Sequence, residues 1–175
     1  MRLFRKSILL GLAVVATLAF SNDLSAQSTD TDSQQFTVVV GDAISITAPA
    51  DVSINHNLSD SNQPFGQQTW NVFTSNATGA GVVLTMGRFI NTSNAAFFRD
   101  GELGASVISS DVTATWIVGT ALDDTVSSGT ASVDASSTGP GSGQLGISVV
   151  FLETDASTLA SGDYVATVTG VITNN

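Results

Sequence analysis

The sequence predicts an all-β fold: a single antiparallel β-sandwich, Ig-like in its pattern, of about nine strands, with a β-barrel as the alternative closure. Three observations predict it. Apolar residues recur with a period of two in short runs, the signature of half-buried strands. Gly, Asn, Asp and Ser cluster between those runs, where turns need them. Only 11% of the 175 residues are charged, while Val, Thr, Ser, Ala and Gly dominate, a composition suited to pleated surfaces more than to long helices.

The chain opens with a segment of a different kind. Arg2, Arg5 and Lys6 precede an apolar stretch, Ser7–Phe20, and a polar stretch closes on Leu24-Ser25-Ala26. Basic, apolar and small-residue regions in that order make a secretory signal, so residues 1–26 are expected to be cleaved after Ala26, the alternative being an uncleaved anchor. No Cys stands there to carry a lipid. Residues 27–34 (QSTDTDSQ) lack an apolar period and read as a flexible polar leader. Residues 35–175 are then the sandwich domain.

Within that domain Phe36, Val38 and Val40 share one face of a first strand, which Gly41-Asp42 breaks. Ile44, Ile46 and Ala48 line a second strand ended by Pro49, and Val52, Ile54 and His56 continue it beyond a bulge. Asn57–Gln67 is a loop by composition. Trp70, Val72 and Thr74 alternate next, and Asn76–Gly81 reads as a hairpin leading to Val82, Leu84 and Met86. Shorter strands are expected at Phe97-Phe98 and Leu103–Ile108, and a clearer one at Thr113–Val118. Thr130–Ala135 lies between Asp123-Asp124 and the loop STGPGSG. Leu145, Ile147, Val149 and Phe151 face one way, and Tyr164, Ala166, Val168, Gly170 and Ile172 alternate in a long last strand.

Cleavage after Ala26 would leave 149 residues with Arg88 and Arg99 against 14 acids, a net charge of −12, and no Lys. Such a chain repels nucleic acid and anionic membrane surfaces, both of which require positive charge. It has no Cys, so its core must hold without disulfides.

These residues also limit the chemistry, and no enzyme is expected. The one histidine, His56, has only Asp51 and Ser53 near it in sequence, on its own strand, which is no activated triad. One His and no Cys cannot build a zinc or copper site. The carboxylate pairs Asp100/Glu102, Asp123/Asp124 and Glu153/Asp155 fall mostly in turns, where Asp bonds its own backbone. Calcium alone is left open as a cofactor, because it needs only oxygen ligands. Asp30-Thr31-Asp32, Asp60-Ser61-Asn62 and Asp123-Asp124 each offer part of such a site, none with EF-hand spacing. Sequons begin at Asn57, Asn76 and Asn91.

The run Leu159–Thr173 (LASGDYVATVTGVIT) carries a resemblance, through Gly162, Tyr164, Val168 and Ile172. It resembles the closing strand of pilin-like bacterial sandwich proteins, including spore-coat-U-like fimbrial subunits, in which G-x-Y opens a long alternating strand. It is also similar to small exported bacterial proteins of unknown function that end in D-Y-T-x-T-V-T-G-T-I-T runs. Independently of that likeness, Gly162 permits a tight turn, and Tyr164 can pack its ring inward while its hydroxyl bonds nearby backbone. The chain departs from the fimbrial pattern in lacking a disulfide and in carrying Asn174 where an aromatic is usual.

The resemblance implies a secreted, periplasmic or cell-surface structural protein, a subunit of a fibre, coat or matrix. Its partner would be its own copies or another surface protein. Without Lys after cleavage, assembly would be non-covalent, with Phe36, Val38 and Val40 as the candidate segment for strand pairing. The alternative is a soluble extracellular glycan- or protein-binding module, with Phe65 in its polar loop as the aromatic platform.

Overall fold

The structure, a computed structural model, describes residues 31–175. The expected signal segment and residues 27–30 lie outside the described residues. Residues 31–38 and 39–175 are two separate units, and the sheets belong to the second.

Thirteen strands follow in chain order among the described residues, seven of four or more residues and six of two or three. The first five are β1 (Ile44–Thr47), β2 (Gln63–Pro64), β3 (Gln68–Thr74), β4 (Ala80–Gly87) and β5 (Phe89–Asn91). Next come β6 (Phe98–Arg99), β7 (Gly101–Ser110), β8 (Ile117–Val118) and β9 (Leu122–Asp124). Last are β10 (Thr130–Ser136), β11 (Gly141–Phe151), β12 (Tyr164–Val165) and β13 (Val168–Asn174). One 3-10 turn, Ala156–Thr158, is the only helical element among the described residues.

The larger sheet runs β1-β3-β11-β7-β9, with β2 added on β11. The second runs β13-β4-β10-β8, and a small third sheet runs β12-β5-β6. Every pairing is antiparallel. The sheets end on β1, β9, β13 and β8, so they stay open and the barrel alternative is set aside in favour of a sandwich.

The predicted alternation builds the core. Trp70 and Val72 of β3, Leu145 and Ile147 of β11, and Leu103 of β7 point inward from the larger sheet. Val82, Leu84 and Met86 of β4, with Ala131, Val133 and Ala135 of β10, face them from the second. Burying alternate residues of paired strands on one side is what a dry two-layer interior requires.

Two glycines set how closely these layers approach. A Cβ on Gly143 would lie 2.4 Å from Cδ1 of Trp116, and one on Gly170 would lie 2.8 Å from Cζ3 of Trp70. Each indole therefore seats against bare backbone of a strand across from it.

Several expectations are corrected. Residues 36–40 form no strand, and the first one starts at Ile44. Val52, Ile54 and His56 do not extend β1. Asn76–Gly81 is no hairpin, because β3 and β4 lie in different sheets and the turn at Gly79 (φ +88°) carries the chain across the core. Apolar faces of consecutive strands thereby oppose each other rather than lie side by side. Of Thr113–Val118 only Ile117–Val118 is a strand. The Asp111 carbonyl accepts the N–H groups of Ala114 and Thr115, winding a turn that buries Ala114 and Trp116. The long last strand is split between two sheets at Ala166–Thr167.

Gly143→Ala is expected to destabilise by about 1–3 kcal/mol, because a rigid indole must move. Gly87→Ala, where nothing lies within 4 Å, should stay within about 0.5 kcal/mol of the parent. Urea denaturation of the two variants checks the contrast.

Candidate functional site

The C-terminal signature residues each have a definite place. Gly162 sits at φ +134°, and a Cβ there would crowd the Asn91 amide at 2.9 Å. Both facts call for glycine. Asn91 is fully buried; its Oδ1 accepts the N–H groups of Ser93 and Asn94, and its Nδ2 donates to the Ser161 carbonyl. The chain then enters β12, and Tyr164 turns its ring edge-on to Phe151 at 5.7 Å. Its hydroxyl accepts the N–H of Ala160 at 3.2 Å, the inward ring and backbone bond expected of this residue. Val168 and Ile172 lie on β13 and pack against the core only partly buried.

Their partial burial follows from topology. Among the described residues, β13 bonds β4 on one side and no strand on the other. β1 likewise bonds only β3. These two free edges flank the same side of the sandwich, since Ile46 of β1 reaches within 2.7 Å of where a Gly170 Cβ would stand. Ile46, Val168 and Ile172 form a half-buried apolar seam between the edges.

The third candidate group, Phe36, Val38 and Val40, is 84%, 87% and 79% exposed and belongs to no strand. This is a local β pattern without a ladder. Among the described residues the exposed backbone edges and these exposed alternating side chains are the features suited to strand addition.

The polar candidates carry structural duties. The three sequons are Asx turns: Oδ1 of Asn57, Asn76 and Asn91 accepts the N–H two residues on, at 3.0, 2.8 and 2.9 Å. Among the proposed calcium residues, Asp30 lies outside the described residues. Asp60 accepts the N–H of Ala156, and Asn62 accepts that of Glu153. Asp123 accepts the N–H groups of Asp124 and Ser132, and Asp124 accepts that of Val126. No group of three metal-ligating residues converges among the described residues.

His56 is committed through one ring nitrogen, while its Nε2 is buried with no hydrogen-bond partner among the described residues. Its Nδ1 accepts the N–H of Leu58 at 2.9 Å, and its ring stands edge-on to Phe151 at 5.6 Å. Phe65 stacks on Phe89 at 5.9 Å and packs against the core, so it is not the exposed platform expected of the loop. A loop-like composition concealed an anchoring aromatic.

Both arginines among the described residues, Arg88 and Arg99, serve one end of the sheets. Arg88 pairs with Asp100 at 2.8 Å and lies over the Phe98 ring, 4.6 Å from its centroid. Arg99 pairs with Glu153 at 2.8 Å, where the Glu153 side chain is only 2% exposed. Burial opposes ionisation of that carboxyl, yet the Asp155 N–H, the Arg99 guanidinium and the Thr154 N–H outweigh it and hold its pKa below the usual value. A depressed carboxyl pKa contributes stability above the unfolded-state value, and that contribution is lost as pH falls through the folded one. Glu153→Gln should therefore cost about 3 kcal/mol at pH 7, the penalty for breaking a buried pair. The gap from the parent should narrow as pH drops below about 4.5. Thermal melts between pH 7 and pH 3 measure this.

No protein-family model matches the chain, and no curated protein or solved structure does either.

Proposed function

We propose that this protein is an exported, non-enzymatic structural subunit of a surface fibre, coat or matrix, assembled without covalent links. In this reading the segment Phe36–Val40 of one copy adds as a strand to the free edge of β13 in another. One observation carries it: an exposed, strand-patterned segment and an unpaired sheet edge with a half-buried apolar seam occur in the same chain. Strand addition would satisfy the backbone N–H and C=O groups of both partners, while Phe36, Val38 and Val40 would fill the seam over Ile46, Val168 and Ile172.

Edge strands open to solvent are usually blunted by charge, proline or a bulge. β13 reads VTGVITN and carries none of these. β1 reads ISIT and is equally unguarded. The acidic surface gives long-range repulsion between copies, which favours an ordered end-to-edge contact over indiscriminate clustering.

Light scattering and negative-stain electron microscopy of the cleaved chain test the reading. Extended assemblies are expected at high concentration, and a Phe36→Asp/Val38→Asp/Val40→Asp variant should remain monomeric. A synthetic peptide of residues 33–42 should cap the edge and shorten the assemblies. Monodisperse cleaved protein, with and without calcium, would contradict the proposal, as would undiminished assembly of the triple variant.

A further inference from the structure

The outer face of the larger sheet holds a second feature, separate from the edges. A cavity of about 450 Å³ lies across β1, β3, β11 and the end of β7. Its volume is within the range of small-molecule sites. Asn71, Phe73, Ser109, Asp111, Ser142 and Gln144 line it.

Strand register makes this lining regular. Asn71 of β3 stands opposite Gln144 of β11, which stands opposite Ser109 of β7. Nε2 of Gln144 donates to Oδ1 of Asn71 at 3.2 Å, and the Ser109 hydroxyl donates to Oε1 of Gln144 at 3.1 Å. The two amides are thus held in one row, with both Nδ2 hydrogens of Asn71 and one Nε2 hydrogen of Gln144 left to donate outward. In the next row Phe73, 37% exposed, lies between Ser45 and Ser142. Asp111 borders the groove; its Oδ2 accepts the N–H of Ser142, and Oδ1 is left as an acceptor.

The position of Ile108 belongs to the same feature. Val107 pairs with Leu145 and Ser109 with Gln144, so Ile108 is skipped by a bulge. That extra residue switches Ser109 to the outer face, beside Gln144. Without it, strand alternation would turn the hydroxyl away from the amide row.

We infer that this groove binds a neutral glycan. Fixed amides and hydroxyls match the paired donors and acceptors of sugar hydroxyls, and an exposed aromatic ring offers an apolar platform for a pyranose face. Among the described residues the lining has no cation and its one charge is the Asp111 carboxylate, so a phosphorylated, sulfated or uronic-acid ligand is disfavoured. The groove runs over several strands and is open, which suits a segment of a polymer. This inference stands independently of strand-mediated assembly.

Affinity electrophoresis of the full cleaved chain in gels containing β-glucan, xylan or galactomannan tests it, with heparin as the anionic probe. Retardation by at least one neutral polymer and none by heparin is expected. Asn71→Ala/Gln144→Ala and Phe73→Ala should each weaken the apparent affinity about tenfold, while Thr85→Ala on the opposite sheet leaves it unchanged. The two groove variants alter different rows, so loss of fold in one leaves the other decisive. No retardation by any neutral polymer, equal retardation of the folded groove variants, or retardation by heparin would overturn the proposal.

Discussion

Two indoles set the spacing of this sandwich. Packed sheets stand roughly 10 Å apart, a gap that aliphatic side chains fill by interdigitating from both sides. A tryptophan is too large to share that space with a side chain directly opposite. Trp70 therefore meets Gly170 on β13, and Trp116 meets Gly143 on β11. The pairs run in opposite senses, one from the larger sheet across the core to the second sheet and one from the β7–β8 connection onto the larger sheet. With no Cys available, these contacts and the aliphatic core between them carry the fold.

The first of those pairs also leaves the open edge its character. β13 places glycine over Trp70, and Val168 and Ile172 on either side of it stay only partly buried at the unpaired edge. At the far end, Phe65, Phe89, Phe151, Tyr164 and His56 form an aromatic cluster, and Arg99, paired with Glu153, stands opposite Phe89 in the ladder. One end is thus fastened and one side is open. The chain places both of its described cations at the fastened end and leaves the sheet faces neutral or acidic.

Much of this was legible in the sequence because burial alternates cleanly where strands have one wet and one dry face. β3, β4 and β10 follow their predicted residues, β11 does so from Leu145 onward but begins at Gly141 inside the stretch read as a loop, and Tyr164 packs its ring and bonds backbone through its hydroxyl as expected. Misreadings arose where local pattern does not determine the partner. Residues 36–40 alternate as a strand does, yet a strand requires a ladder, and no one-dimensional pattern names one. Thr113–Val118 is rich in β formers, but Asp111 captures its N–H groups and bends it into a turn. The Asn76–Gly81 turn has hairpin residues and joins opposite sheets, a choice made by the facing apolar sides of β3 and β4. The groove on the outer sheet was not legible at all, since it joins Asn71, Ser109 and Gln144 from three strands through register and one bulge.

In the proposed assembly, the β13 edge and the Phe36–Val40 segment complete each other between copies. Backbone hydrogen exchange, followed by mass spectrometry as protein concentration is raised, addresses both segments at once. Amides of residues 36–40 and 168–174 are expected to slow together as assemblies form, while the amides of β10, already bonded to β4, keep their monomer rates. Assemblies in which both segments exchange as they do in dilute protein would contradict it.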